Sequence, residues 1–334
     1  MSDPILQVQD LRAEFVTPDG IVSAVNGVSL TLERGKTLVL TGESGSGKTS
    51  IGLSLLGLLP HPGRVTSGRV DFKGRDLLTL PQDEMRMVRG KEVAIVFQDA
   101  STGLNPVLSV GQQVEEIITN HVQITKKEAK RRSVDVLAEM GLPEPNEVAK
   151  RYPFQLSGGM AQRVMIAIAT ALKPEVLILD EPTSALDVTV QAAILDDLTK
   201  LQRQQDTAIL LITHDLGVVA QMADNVAVMY AGYVVEQGDA QTLFSLPRHP
   251  YTWSLLASRP RWDRDGDQRL AVIKGTPPSL LDLPAECPFV PRCPKATSVC
   301  RIDPMPALGP IDSNDHLIAC YNPVYQQDLD EVSA

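Results

Sequence analysis

The sequence GESGSGKT, at Gly42–Thr49, decides the fold prediction because it fits the pattern G-x-x-x-x-G-K-[ST]. It follows the short apolar run Thr37–Thr41 and precedes a helical pattern over Ser50–Leu59. A glycine-rich turn between a strand and a helix lets backbone N–H groups surround a phosphate, and the helix N-terminus adds a favourable dipole. A random chain of this length matches the pattern only about once in a hundred sequences. We therefore predict a phosphate-binding loop, called the P-loop below.

The polar residues of the P-loop have distinct expected roles. Lys48 is expected to direct its charge to the β- and γ-phosphates of a nucleoside triphosphate, and Thr49 to offer its hydroxyl to Mg²⁺. A P-loop alone identifies only the nucleotide site, so the rest of the chain must define the class of protein. The predicted nucleotide-binding residues of this segment are Gly42, Ser44, Gly45, Gly47, Lys48, Thr49 and Ser50.

Two carboxylates, Asp180 and Glu181, follow a second apolar run at Val176–Leu179. Ligands bind at the carboxyl ends of strands in open α/β sheets. Asp180 is expected to hold Mg²⁺ through water, and Glu181 to orient and polarise the attacking water, because phosphoryl transfer needs mainly positioning and charge stabilisation. A solvated acidic turn is the alternative, which the aliphatic run before the pair and Pro182 after it disfavour.

A second glycine-containing motif, LSGGMAQR at Leu156–Arg163, precedes an apolar-periodic helical stretch at Val164–Leu172. A serine and two glycines at the start of a helix form an anion-binding end. Ser-Gly-Gly also occurs in ordinary loops. Its position between the P-loop and the acidic strand end favours the functional interpretation.

Four short apolar runs alternate with helical patterns over residues 1–240, which predicts an α/β fold with a largely parallel sheet. Between two of these runs, Val93–Phe97 and Val176–Leu179, the pattern is mostly helical, and we predict a helical subdomain over about residues 99–172 inserted between two strands. The fourth run is Ala208–Ile212. Residues 241–334 form a separate C-terminal extension in this prediction.

The C-terminal extension carries 13 of the 24 prolines and all four cysteines. Because a proline-rich stretch cannot be mainly helix or central strand, it needs another organiser, and the cysteines are the candidates. Their pattern is Cys287-x5-Cys293-x6-Cys300-x19-Cys320. Zinc sites usually contain a short C-x2-4-C pair, whereas iron–sulfur clusters accept looser spacing. An iron–sulfur cluster, a zinc site and thiols without metal remain open at this point.

The composition is that of an ordinary globular protein, with 43% hydrophobic and 22% charged residues. No run approaches the roughly 20 apolar residues of a membrane-spanning helix, and the first residues lack the pattern of a signal peptide. We therefore expect a cytosolic chain unless a partner holds it at a membrane. The net charge of −10 argues against a general nucleic-acid binder.

These motifs, in this order and spacing, resemble the nucleotide-binding domain of ABC transporters over about residues 5–240. The resemblance implies that two subunits bind ATP head to tail and hydrolyse it. The signature residues that would act on the ATP of the partner subunit are Ser157, Gly158, Gly159 and Gln162.

The resemblance also implies roles for residues outside the three motifs. Gln98 matches the glutamine that senses Mg²⁺ and lines the groove for the membrane partner, and His214 matches the histidine that contacts the γ-phosphate. Asp187, in Ser184–Asp187, matches the D-loop at the subunit junction. Phe15 falls where the family stacks an aromatic ring on adenine. Taken alone, His214 and Phe15 would more often be structural.

In this setting Arg248–Thr252 resembles the C-terminal extension of the ATP-binding subunits of peptide/nickel-type importers, the dipeptide and oligopeptide permeases. The chain is most like the first of their two ATPase subunits. That resemblance implies a [4Fe–4S] cluster on Cys287, Cys293, Cys300 and Cys320. One departure is Asp99-Ala100, where the subfamily usually has Asp-Pro, close to the expected permease contact.

The expected function is ATP hydrolysis that powers import through a membrane permease, most simply of di- or oligopeptides. The expected partners are a second, different ATPase subunit, two transmembrane permease subunits and, indirectly, an extracytoplasmic substrate-binding protein, without nucleic acid. The expected location is the cytoplasmic face of the inner membrane. The alternative is a soluble ABC-type ATPase that acts on DNA or ribosomes, which the acidic charge and the single set of motifs disfavour.

Overall fold

The fold is described from a computed structural model, which covers residues 3–184, 186–258, 273–325 and 328. The strands are β1 Pro4–Thr17, β2 Gly20–Glu33, β3 Thr37–Thr41, β4 Gly63–Phe72, β5 Arg75–Asp76, β6 Val93–Val96, β7 Val176–Asp180, β8 Ala208–Ile212, β9 Asn225–Tyr230, β10 Tyr233–Asp239, β11 Gly309–Pro310 and β12 Leu317–Ile318. All four apolar runs of the sequence are strands, and the predicted α/β class is confirmed.

The α-helices are α1 Lys48–Leu55, α2 Gln82–Val88, α3 Ala100–Gly103, α4 Val110–His121, α5 Lys126–Glu139, α6 Pro145–Val148, α7 Gly158–Thr170, α8 Val188–Gln205, α9 Leu216–Met222, α10 Ala240–Ser245, α11 Pro250–Ala257 and α12 Val299–Ile302. Short 3-10 helices occur at Leu77–Thr79, Pro153–Gln155 and Val290–Arg292. None of the helices in the described ranges is long and apolar enough to cross a membrane.

The chain divides into two units of dense internal contact, which are described separately. Unit 1 comprises Met1–Leu6, Thr31–Thr37 and Phe72–Ile212. Unit 2 comprises Gln7–Leu30, Leu38–Asp71 and Thr213–Ala334. The boundary at residue 240 that the sequence suggests stays a prediction.

In unit 1, β6, β7 and β8 lie side by side and are parallel, with Ile178 of β7 opposite Ile95 and Leu210. Every residue of β7 and β8 is buried. A strand buried on both faces needs apolar residues on both faces, which explains why these strands are continuous apolar runs in the sequence. Helices α3 to α7 follow β6 in the chain, and α7 packs against β6.

In unit 2, β3 is parallel to β9, and β9 is antiparallel to β10. The antiparallel pair was not predicted. Its turn consists of Ala231 and Gly232, with φ of 48° and 83°, between the paired Tyr230 and Tyr233. Two successive residues with positive φ form the tight turn whose twist suits an antiparallel hairpin. Strand β10 continues the sheet to β12, which pairs with β11.

A buried carboxylate fastens the C-terminal extension to β10. Glu236 is fully buried, and its Oε1 accepts the Arg248 N–H at 2.7 Å and lies 2.8 Å from His316 Nε2. Its Oε2 accepts the His249 N–H at 2.9 Å. Since an unpaired buried carboxylate is very unfavourable, these bonds fix the extension where it meets the strand.

An aromatic cluster supplies the core of the extension. Tyr230, Tyr251 and Phe289 are almost fully buried, with ring centroids 4.7 to 5.3 Å apart. Tilted and edge-on arrangements at these distances add stabilisation beyond the buried area. The extension is therefore organised by apolar packing of these rings, whereas the cysteines were expected to organise it.

Candidate nucleotide-binding site

The P-loop connects β3 to α1 within unit 2. Gly47 caps α1 with φ of 99°, and the helix begins at Lys48, two residues earlier than predicted. The Lys48 ammonium donates to the carbonyl oxygens of Gly42 and Glu43 at 2.9 and 2.8 Å, and lies 3.3 Å from Ser46 Oγ. The Lys48 side chain therefore folds over its own loop, where phosphate oxygens can replace the loop oxygens as acceptors.

Three glycines form a cradle that other residues would fill or strain. A Cβ on Gly42 would collide with the carbonyl oxygen of Met229, and one on Gly47 with that of Ala24. Both glycines also have positive φ, as does Gly45, which has open space around it. The backbone can approach a ligand closely only without side chains at these positions. This cradle and the adjoining helix N-terminus fit a bound phosphate chain.

The remaining P-loop residues face the surface or begin α1. Ser44 and Gly45 are exposed at the tip of the loop. Thr49 and Ser50 lie in the first turn of α1, where Thr49 is exposed. A threonine hydroxyl here suits the hard, oxygen-ligated Mg²⁺ that accompanies a nucleoside triphosphate.

The acidic strand end lies in unit 1. Asp180 is the last residue of β7 and is buried, whereas Glu181 has the unusual φ of 45°. The Glu181 N–H donates to the Ile212 carbonyl at 2.8 Å, and its Oε2 accepts a hydrogen bond from Gln98 Nε2 at 3.0 Å. A left-handed non-glycine residue is costly and often occurs at functional sites. The structure therefore brings Gln98 and Glu181 together.

The signature residues begin α7, also in unit 1. Ser157 caps the helix by accepting the Met160 N–H at 3.4 Å. Gly159 lies so close to α8 that a Cβ would approach Val190 Cγ1 to 2.8 Å. Gln162 is buried, and its Nε2 has no hydrogen-bond partner among the described residues. The helix starts six residues earlier than predicted because Ser157 provides the cap.

The predicted D-loop residue Asp187 caps α8 by accepting the Val190 N–H at 3.0 Å. A Cβ on Gly158 would contact Leu186 Cδ2 at 3.7 Å, so the D-loop and the signature helix are adjacent. Ala185 of the same motif lies outside the described residues.

Two further predicted residues lie in unit 2. His214 is exposed just after Thr213, whose N–H donates to the Leu40 carbonyl at 3.1 Å. Phe15 is half-buried on β1, and its ring covers Gly63, where a Cβ would lie 2.6 Å from the ring. Their roles toward the γ-phosphate and adenine stay predictions.

The predicted iron–sulfur site is wrong. Across the described ranges, no group of three or more His, Cys, Asp or Glu side chains is arranged to hold a metal ion, which also excludes the zinc alternative there. Cys287, Cys293, Cys300 and Cys320 line one pocket, but its volume of about 20 Å³ is room for about one water molecule.

Burial also affects the protonation of three of these cysteines. Burial raises the pKa of Cys287, that of Cys293 to about 11 and that of Cys320 to about 12. These three side chains are therefore thiols at neutral pH. All four cysteines are free in the structure.

Several residues around the site were not identified from the sequence. Glu43 occupies a freely variable position of the P-loop pattern, yet Tyr251 and Arg292 of the extension both bind it. Arg163 of α7 donates to the Met140 carbonyl at 2.6 Å and pairs with Asp197 of α8. No sequence signal could identify partners so far apart in the chain.

The P-loop, the acidic strand end and the signature helix define a P-loop ATPase of the ABC class. The family model described as "ABC transporter" matches residues 25–184, and that described as "Oligopeptide/dipeptide transporter, C-terminal region" matches residues 235–300. The chain is 47% identical over 321 residues to the dipeptide transport ATP-binding protein DppD of Bacillus subtilis, covering 96% of this chain and 95% of that one. It belongs to the family of dipeptide and oligopeptide transport ATP-binding proteins and is an ABC-type ATPase.

Two further similarities agree with this assignment. The oligopeptide transport ATP-binding protein OppD of Salmonella typhimurium is 48% identical over 321 residues, with 96% of this chain and 94% of that one covered. Among solved structures, a dimeric ATP-binding cassette in a post-hydrolysis state with ADP and Pi is 26% identical, with a TM-score of 0.64. That similarity covers 70% of this chain and 98% of the cassette.

Proposed function

We propose that this chain hydrolyses ATP in a head-to-tail dimer and thereby powers the import of di- or oligopeptides through a membrane permease. The observation that carries the proposal is the hydrogen bond between Gln98 and Glu181. Gln98 also lines a surface groove, so one side chain is in contact with both the groove and the carboxylate that would act on water. A partner seated in the groove can thus influence hydrolysis directly.

The residues around the phosphates would act mainly through charge and position. Lys48 would neutralise the β- and γ-phosphates, while Thr49 and Asp180 would hold Mg²⁺. Mg²⁺, when bound, supplies charge neutralisation of the phosphate oxygens. Glu181 would orient the attacking water, and His214 would contact the γ-phosphate.

The groove in unit 1 is suited to an apolar partner. Its volume is about 770 Å³, and its lining includes Gln98, Pro106, Phe154 and Leu156. The Phe154 side chain is 76% exposed and stacks on Tyr152 with ring centroids 5.7 Å apart. Large exposed aromatic side chains beside a groove typify protein-interaction sites. We assign this groove to a cytoplasmic segment of the permease.

The second ATPase subunit would complete each nucleotide site. Ser157, Gly158 and Gly159 start α7, whose N-terminal N–H groups favour an anion. In the proposed dimer they bind the ATP held by the partner's P-loop, with Asp187 at the junction. The partner is proposed to be a different chain. The cassette similar to this chain was solved as a dimer, which supports the arrangement.

The complex would contain two transmembrane permease subunits and would receive peptide from an extracytoplasmic binding protein. This places the chain at the cytoplasmic face of the inner membrane as a peripheral subunit. The acidic net charge of −10 supports a protein partner over nucleic acid.

Reconstitution in proteoliposomes tests the function. The chain, its partner ATPase and the permease pair should take up a labelled peptide only with internal MgATP. Phe154→Asp should abolish the uptake and leave the ATPase activity of the free subunits intact. The matched control is Ile302→Asp, which changes a residue that is 78% exposed on the C-terminal extension. ATPase activity that rises with DNA or ribosomes, and not with the permease, would instead support the soluble alternative.

A further inference from the structure

The C-terminal extension holds the second residue of the P-loop at two points. Tyr251 accepts the Glu43 N–H on its hydroxyl oxygen at 2.8 Å. Arg292 forms a two-pronged ion pair with the Glu43 carboxylate, at 2.6 Å from Nη1 to Oε2 and 2.9 Å from Nη2 to Oε1. Both the backbone and the side chain of this residue are thus bound by residues that lie more than 200 positions later in the chain.

The Arg292 guanidinium is held firmly in place. Its side chain is only 5% exposed, and its Nε donates to the Lys274 carbonyl at 3.0 Å. Nη1 also lies 3.2 Å from the Tyr230 hydroxyl, and the guanidinium carbon is 5.8 Å from the centre of that ring. Paired, planar hydrogen bonding of this kind fixes direction as well as distance. The hydrogen bond from Arg292 to Glu43 raises the pKa of Arg292, so the cation persists at any working pH.

Tyr251 is held in the same environment. It is fully buried, and its ring packs edge-on against Phe289 at 5.3 Å between centroids. Burial raises the pKa of Tyr251, so its hydroxyl remains neutral and its oxygen can accept from Glu43. The loop is therefore attached to the aromatic cluster by a bond that does not change with pH near neutrality.

The charge of Glu43 affects the nucleotide site because this residue lies within the P-loop. Its backbone carbonyl accepts a hydrogen bond from Lys48 Nζ at 2.8 Å, so the residue belongs to the loop that receives a polyphosphate. A free carboxylate at this position would repel the anionic ligand, and the repulsion would be strong where solvent is partly excluded. The Glu43 side chain is only 23% exposed.

We propose that Arg292 is a positioning residue for ATP: it neutralises Glu43 and, with Tyr251, holds the P-loop in the form that receives the phosphates. This inference rests on the proposed ATP site and adds that the affinity of the site depends on the C-terminal extension. The simpler possibility is that the ion pair only anchors the extension. The two explanations predict different ATP affinities for a variant in which both charges are removed.

Equilibrium binding of MgATP to the full-length chain provides the test. Arg292→Gln leaves Glu43 unpaired and should weaken binding about tenfold, with a matching rise in KM and little change in kcat. Adding Glu43→Gln to that variant should restore affinity to within about threefold of the parent, because the repelling charge is gone. Arg292→Lys should lie between the parent and Arg292→Gln, since it keeps the charge but not the paired geometry.

The matched control is Arg248→Gln, which breaks another arginine pair of the extension. Arg248 binds Asp312 through Nε and Nη2 at 2.6 and 3.0 Å, and Asp312 is not a residue of the P-loop. Its loss should leave the ATP affinity unchanged.

Parent-like affinity in Arg292→Gln would overturn the inference, and so would a double variant as weak as the single one. If Arg292→Gln does not fold, Glu43→Gln alone decides: it should bind ATP at least as tightly as the parent, and weaker binding would refute the charge argument. Failure of the proposed function is distinguishable, because then the parent chain itself would not bind ATP.

Discussion

Gln98 Nε2 donates a hydrogen bond of 3.0 Å to Oε2 of Glu181, joining the segment after β6 to the residue after β7. The two strands are parallel neighbours, so their carboxyl ends lie side by side. The amide holds one carboxylate oxygen and fixes the direction of the other. This arrangement suits a group that must orient a water molecule.

Glu181→Gln should retain MgATP binding and lower kcat at least about 100-fold, because the amide cannot polarise water as a carboxylate does. With ATP it should also elute as a dimer in size-exclusion chromatography. The matched control is Glu175→Gln, just before the same strand, where the carboxylate pairs with Lys73 and Arg34. Normal turnover in Glu181→Gln would contradict the assigned role.

Gly47→Ala should lose nucleotide binding and fall in stability, because its Cβ would meet the Ala24 carbonyl and its φ is 99°. The matched control is Gly74→Ala, at φ of 80° with open space around the Cβ, where the cost should be only about 1–2 kcal/mol. Urea unfolding and MgATP binding measure both effects. Equal losses in the two variants would mean that backbone conformation alone, and not the close approach, requires glycine.

Glu236→Ala should lower the free energy of unfolding by about 3–5 kcal/mol, as expected when one member of a buried charged network is removed. The main-chain N–H groups of Arg248 and His249 would lose their acceptor. Exposed Glu139→Ala is the control and should change stability by less than about 0.5 kcal/mol. Chemical denaturation of both variants, followed by fluorescence, gives the comparison.

Because His249 is buried, we expect the folded protein to lose stability in acid. Burial lowers its pKa to about 3, whereas the unfolded chain should have the ordinary value of about 6.5. Between these two pKa values the unfolded state therefore binds more protons than the folded state. The contribution of His249 to the free energy of unfolding is fully present above about pH 6.5 and is lost as the pH decreases toward 3. This histidine alone should cost about 1.4 kcal/mol between pH 7.5 and 5.5.

His249→Asn isolates that contribution. The His249 Nδ1 accepts the Tyr251 N–H at 3.0 Å as the cap of α11, and an asparagine oxygen can serve as the same acceptor without titrating. The variant should lose less stability than the parent on acidification, as measured by urea unfolding at several pH values. Identical pH profiles would show that His249 is not kept neutral.

Much of the fold could be predicted because β3, β7 and β8 are buried on both faces and therefore appear as continuous apolar runs. The long strands β1 and β2 were not predicted, since their exposed and buried positions alternate irregularly. The hairpin of β9 and β10 depends on Ala231 in a left-handed conformation. Alanine rarely adopts this conformation, so the sequence does not indicate the turn.

The parts of the candidate site that could be predicted are those formed by residues close together in the sequence. The P-loop and the pair Asp180–Glu181 are short motifs, whereas the contact of Glu43 with Arg292 joins residues 249 positions apart. The cysteines led to the wrong metal prediction because spacing along the chain does not show whether side chains converge on one ion. The aromatic cluster could not be predicted either, because spacing along the chain does not show that its three rings meet.

The buried Glu236 has a consequence for the order in which a newly made chain can be completed. Its strand leaves the ribosome 80 residues before His316, which supplies the last of its partners. Until then only the N–H groups of Arg248 and His249 can bind the carboxylate, and the edge of β10 that pairs with β12 stays open. A chain that terminates early would keep that edge exposed to chaperones and proteases. Complete burial of this acid therefore requires that the chain has been made at least as far as β12.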